Sequence, residues 1–256
     1  MMIVYMFLFL PIIFVVRGSF NSSRMNLKME HFTLDWYQTL TQNDSLLEAF
    51  GNTLELAVIS MILATFIGTL AAFGMYRYKF RGKAVLDSMF YIPIVIPEIV
   101  LGISLMIVFS ICNLKGGMLT LILAHTTFCI PYVVFNVRAS ISGLDPSMEE
   151  ASMDLGMNQV QTFCKITLPM IMPGIMSGAF MAFTLSIDDV IISYFTTGPG
   201  CTTLPIAVMD MTKRGITPDV NALSTIIMAV VFIIVVGKEI EWKAMIQKLK
   251  IHRQKG

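Results

Sequence analysis

The chain has 256 residues, of which 55% are hydrophobic and 14% charged, with a mean hydropathy of +0.74. A soluble domain carries roughly a quarter of its residues as charges, so this composition excludes an ordinary water-soluble globule. The formal net charge of +1 adds little.

The apolar residues form long continuous runs of Leu, Ile, Val, Met and Phe. A helix needs about 20 such residues to cross a hydrocarbon core about 30 Å thick. Continuous runs exclude the alternating pattern of a membrane barrel, and only helices or closed barrels satisfy their backbone in lipid. The sequence therefore predicts an all-α membrane protein, a single domain over 1–256. Its six transmembrane helices are expected at 3–16, 53–75, 86–111, 118–137, 174–195 and 222–236.

The first window is short and contains Pro11. It reads as a shortened span and not a cleaved signal peptide, because a basic n-region and a small-residue cleavage site are both missing. Arg77, Lys79, Arg81 and Lys83 crowd the link between spans two and three, and Lys243, Lys248, Lys250, Arg253 and Lys255 follow span six. Cytoplasmic loops collect Lys and Arg. Both segments are thus expected inside, with both termini in the cytoplasm. Arg17, Arg24, Lys28, Lys115, Lys213 and Arg214 fall on the other side, over longer loops.

Span three holds Glu98, just after Pro97, and span five holds Asp188 and Asp189. A charged side chain at the bilayer centre costs about 3 kcal/mol on insertion scales, so such groups face a cavity or a partner. No Lys or Arg lies in any window. Either the acids are protonated or they line an aqueous path that attracts a cationic solute. Phe128, Tyr132, Phe183 and Tyr194 would add aromatic faces for cation–π attraction. Glu98 has an alternative role, satisfying backbone groups freed by the proline. Neighbouring helix positions diverge by about 100°, so one Asp is expected on the path while the other packs or caps.

Between spans four and five, residues 143–169 form a polar island. Gly143-Leu144-Asp145-Pro146-Ser147 is turn chemistry, and Asp145 or Ser147 can cap a helix. A short helix should follow from Met148 to Leu155, acidic in its first turn and ended by Gly156. A second helical piece should run to Leu168, with Pro169 and Pro173 interrupting the chain before span five. Ala151 and Ser152 are small enough for another protein to approach closely. A membrane-surface helix would instead carry Lys and Arg on its polar face.

Cys112, Cys129, Cys164 and Cys201 are scattered without ligand spacing. The 21 methionines are dispersed through the spans, as gap-fillers are. His31, His125 and His252 are too dispersed for a metal site, and no phosphate-binding G-x-x-x-x-G-K-[ST] loop is present. The chain is expected not to be an enzyme and not to power itself.

In the island, Glu150-Ala151-Ser152, Gly156, Ile166 and Leu168-Pro169 match in type and spacing the cytoplasmic signature of ABC-importer permeases, with Ser152 in place of a second Ala. The chain resembles that family. Tyr76-Arg77-Tyr78-Lys79-Phe80-Arg81-Gly82-Lys83, His125-Thr126-Thr127-Phe128-Cys129-Ile130-Pro131 and Leu185-Ser186-Ile187-Asp188-Asp189-Val190 are similar to the permease subunits of its spermidine/putrescine branch.

The resemblance implies a type I ABC importer permease fold in a bacterial inner membrane, with 143–169 as the coupling segment. It implies an ATPase dimer, a homologous second permease and an extracytoplasmic polyamine-binding protein as partners, besides membrane lipid and without nucleic acid. ATP and Mg would be bound by the ATPase, leaving no cofactor in this chain. The expected path residues are Glu98, Asp188, Asp189, Tyr132 and Tyr194. The outer loops, with Trp36, Asp210 and Asp219, would meet the binding protein. A related importer for ferric iron is the alternative. An intramembrane aspartyl protease is more distant, since its carboxylates must face each other across a site, and an autonomous channel leaves the island unexplained.

Overall fold

The computed structural model describes residues 2–23, 30–214, 218–230 and 232–233. The basic tail, Arg24, Lys28, His252 and the end of the sixth expected span lie outside the described residues. In chain order the helices are α1 (Met2–Ser19), α2 (Asp35–Thr41), α3 (Asp44–Arg77), α4 (Lys83–Val95), α5 (Glu98–Ile111) and α6 (Met118–Ile141). Then come α7 (Pro146–Asp154), α8 (Gln159–Thr162), a π-helical turn (Phe163–Thr167), α9 (Leu168–Asp188), α10 (Ile191–Thr196), α11 (Leu204–Arg214) and α12 (Pro218–Val230). Among the described residues there is no strand, only one isolated bridge between Asn21 and Phe32.

Three stretches are long and apolar enough to cross a membrane: α3, α6 and the run from Gln159 to Asp188. A fourth exists if α4 and α5 are counted as one broken span, and α1 and α12 supply shorter apolar helices. Among the described residues the six expected windows all meet apolar helices, three or four of them long enough to cross on length and composition.

The third window departs most from expectation. Instead of one helix over 86–111, α4 and α5 are bent by 111° at Ile96–Pro97. Pro97 disfavours the α conformation in the residue before it. Ile96 accordingly adopts φ −71°, ψ 134°, and Glu98 opens α5 rather than sitting mid-helix.

The fifth window departs in the opposite sense at its start. Pro169 and Pro173 do not interrupt the chain, since the helix runs on from Gln159 to Asp188. A proline lacks an N–H and crowds the carbonyl four residues back. The π turn directly before Pro169, with its wider i→i+5 spacing, takes up that misfit. The break comes instead at Asp189, whose ψ of 126° ends α9 inside the expected span 174–195.

The described chain forms two compact units. In residues 48–209, α6 supplies the buried Ala124, Phe128, Val133, Val134, Val137 and Ile141. Helix α9 packs against it through Gly174 and Gly178, a small-xxx-small pair that lets two backbones approach. A Cβ on Gly178 would lie 3.0 Å from Val133 Cα, and one on Gly174 would lie 2.8 Å from the Asn136 carbonyl oxygen. In the unit of residues 1–47 and 210–256, Phe20 stacks on Phe32 at 5.4 Å, and the Trp36 indole donates to the Asn21 carbonyl at 2.6 Å. Asp219 is buried there and accepts from the Asn43 amide at 2.8 Å. Trp36 and Asp219, expected as outer contacts, are thus engaged within that unit.

Candidate functional site

Two places gather the residues singled out by the sequence: the elbow of α7, α8 and the π turn, and the break between α9 and α10.

The elbow begins as its turn chemistry predicts. Asp145 caps α7 by accepting from the Ser147 N–H at 3.0 Å, with Pro146 at the first helical position. That backbone bond, helped by the Ser147 hydroxyl, holds the Asp145 carboxyl below the usual carboxylate range. At the other end Gly156 adopts φ +88°, where only glycine is unstrained. Its N–H donates to Met153 O at 2.9 Å and the Met157 N–H to Ser152 O at 3.2 Å, closing the helix. Asn158 and Gln161 then form a reciprocal capping box that starts α8.

Of two adjacent acids on α7, Glu150 is exposed and Glu149 buried. One Glu149 oxygen meets Arg77 Nη1 at 3.1 Å; the other accepts from Thr167 Oγ1 at 2.7 Å. Ser152 is buried three residues on, the spacing that shares a helix face. Its hydroxyl bonds Thr162 Oγ1 at 2.8 Å. Ser152 was expected on the docking face; it instead ties α7 to α8, and smallness serves this internal closure. Ala151 remains exposed. Ile166 and Leu168 are half-buried, and Pro169 is exposed. Around the Gly156 turn, Leu155 is 83% exposed, Val160 71% and Met148 48%. An exposed apolar tip on a closed polar frame has the makings of a protein contact. The Arg77–Glu149 pair also places this tip at the same end as the basic link 77–83.

At the α9–α10 break the adjacent acids again divide. Asp188 is exposed, and Asp189 is buried. The Asp189 carboxylate accepts from the N–H of Ile192 at 3.2 Å and of Ser193 at 2.7 Å, so it caps α10. His125, fully buried on α6, stands 3.4 Å from it through Nε2. The same ring lies 2.8 Å from Ser186 Oγ through Nδ1 and 2.9 Å from Ser193 Oγ through Nε2. One imidazole therefore spans both sides of the break. Glu98, exposed at the start of α5, is within electrostatic range of Asp188 and Asp189, and Tyr132 is within that of Glu98. The Tyr194 ring is exposed on α10 and meets Phe195 edge-on at 5.5 Å.

Sequence reasoning passed over Glu149, His125 and the role of Arg77. Helical spacing was the available signal for Glu149, since it shares the face of Ser152. A further acid inside a predicted span, Asp87, pairs with Arg138 at the ends of α4 and α6.

Comparison with known proteins gives the arrangement its relatives. Residues 64–238 match the family described as "Binding-protein-dependent transport system inner membrane component". The chain is 41% identical over 237 residues to the spermidine/putrescine transport system permease protein PotC of Escherichia coli (strain K12), covering 93% of this chain and 90% of that protein. It is 40% identical to the putrescine transport system permease protein PotI of the same organism, covering 90% and 84%. A bacterial ABC transporter involved in import of the acidic polysaccharide alginate shares the fold, with a TM-score of 0.71 at 13% identity over 93% of this chain and 91% of that one. The chain is a multi-pass membrane permease and belongs to the binding-protein-dependent transport system inner membrane component family.

Proposed function

We propose that this chain is a permease subunit of an ATP-driven polyamine importer, with residues 1–256 acting as one permease domain whose termini face the cytoplasm. The elbow seats on a separate ATPase dimer, which binds ATP and Mg; the chain itself carries no cofactor. A homologous second permease completes the path, and a polyamine-loaded binding protein delivers cargo from outside. The observation that carries this reading is the whole-length identity to permeases named for spermidine and putrescine.

The two sites support it separately. Glu150, Ala151, Leu155 and Val160 ring the Gly156 turn and offer the ATPase an apolar tip with an acidic edge. Glu98 and Asp188 offer carboxylates to a solute bearing spaced ammonium groups, with Tyr132 as an aromatic neighbour. Asp189 takes the capping role, so its contribution to transport is through the shape of the break.

Labelled spermidine uptake by cells carrying the complex tests the cargo. Excess putrescine should suppress uptake, and ferric iron should leave it unchanged; suppression by iron alone would overturn the polyamine assignment. Gly156→Ile tests the docking. The variant should lose the ATPase on detergent purification, and stoichiometric retention would contradict the elbow's role.

A further inference from the structure

Helix α3 is fastened by polar bonds at both ends and carries an open flank between them. At its inner end, Arg77 is the last residue of the helix and pairs with the buried Glu149 of α7. Among the described residues this is the only hydrogen bond or ion pair that joins α3 to the elbow. At its outer end, the buried Thr53 hydroxyl accepts from the Leu204 N–H at 2.7 Å. The Asn52 amide donates to the carbonyls of Gly200 and Thr202 at 3.3 and 3.2 Å. Those acceptors lie in the segment that directly follows α10. At 1.5 Å per residue the two clasps are about 36 Å apart.

Between the clasps one side of the helix is closed, with Ala64 and Ala72 fully buried and a Cβ on Gly68 falling 2.8 Å from Val133 Cβ, while the side toward α9 is open. A groove of about 430 Å³ runs between α3 and α9, lined by Thr65, Phe66 and Thr69 on one side and Met172 and Ile175 on the other. A second cavity of about 220 Å³ opens beside Arg77, Glu149 and Thr167. Among the described residues, the buried hydroxyls of Thr65 and Thr69 in this groove have no hydrogen-bond partner, nor has that of Ser60 on the opposite side of the helix. Buried polar groups are normally paired, so the flank of Thr65 and Thr69 is left polar and open. A rigid helix clasped at both ends and open along one flank transmits displacement along its axis, the small sliding by which packed helices shear.

We propose that α3 is the transmission rod of this permease. It carries movement of the elbow to the outer segment 197–204, with Glu149–Arg77 as the inner clasp and Asn52 and Thr53 as the outer one. All four are positioning residues, and none is assigned to the solute path or to the ATPase-facing tip. The inference rests on the elbow being the ATPase docking site. That premise is read in the wild-type complex, as co-purified ATPase and ATP-dependent spermidine uptake.

The test is spermidine taken up per ATP hydrolysed by the complete complex in proteoliposomes. Glu149→Gln at the inner clasp and Thr53→Val at the outer should each lower this ratio at least fivefold, with ATPase bound stoichiometrically and hydrolysis within twofold of wild type. The double variant should be no worse than the poorer single, because both cut one path. The charge exchange Arg77→Glu with Glu149→Arg should recover at least half of the ratio lost in Glu149→Gln. An unchanged ratio in either single variant overturns the rod. So does a parallel fall of uptake and bound ATPase, which would make Glu149 a folding or docking residue only. Losses that multiply in the double variant would mean two independent paths and also overturn it.

Discussion

The elbow and the α9–α10 break solve the same problem with different chemistry. Each presents two adjacent acids, Glu149–Glu150 in one and Asp188–Asp189 in the other, and in each one acid is buried and its neighbour exposed. The buried member at the elbow is held by a cation and a hydroxyl, Arg77 and Thr167. At the break it is held by two backbone N–H groups beside an imidazole. A buried carboxylate must find partners, and which partners it finds decides what it organises. Glu149 joins one helix to another; Asp189 shapes the break between α9 and α10. The exposed neighbours, Glu150 and Asp188, are left for contacts outside the subunit. In both pairs the buried acid is structural and the exposed one is available to a partner or solute.

Removing Asp189 should do the most damage. Asp189→Ala orphans two buried donors, each costing about 1–3 kcal/mol, and the purified complex should melt well below wild type. Glu149→Ala should follow at about 1–3 kcal/mol, because it leaves the buried Thr167 hydroxyl without its acceptor, whereas Glu150→Ala should stay within about 0.5 kcal/mol. Equal melting shifts for the two glutamates would end the division between them. Gly178→Ile should cost about 1–3 kcal/mol by forcing α9 off Val133, visible as a lower melting temperature without a change in cargo preference.

The smallest expected effect is the pH dependence of the α7 cap. Asp145 is held below the ordinary carboxylate range by the Ser147 N–H. Its capping contribution is therefore present above the unfolded-state value and is lost as pH falls through the lowered one. Amide exchange at the start of α7, corrected for intrinsic rates, should accelerate in acid in wild type and show no such step in Asp145→Ala.

The sequence made much of this legible. Composition and apolar runs set the class, turn chemistry located α7, and Gly156 fell where a left-handed residue was needed. What stayed hidden was which side of a short helix faces inward. Ser152 looked like a docking residue because small residues suit both close approach by a partner and internal closure. The π turn was also illegible, since two prolines announce an interruption and nothing local says that a widened turn will absorb it. The bend at Ile96–Pro97 carried its signal in Pro97, but an unbroken apolar run outweighed it. His125 was weighed only as a metal ligand and set aside, and its clasp across the break depends on serines 61 and 68 residues away.

The most direct measurement is labelled spermidine uptake per assembled complex for Asp188→Asn beside wild type, with assembly quantified by co-purified ATPase and melting temperature. The exposed-acid account predicts normal assembly, a melting shift within about 0.5 kcal/mol of wild type and at least a tenfold loss of uptake. Wild-type uptake in a fully assembled Asp188→Asn complex would contradict it.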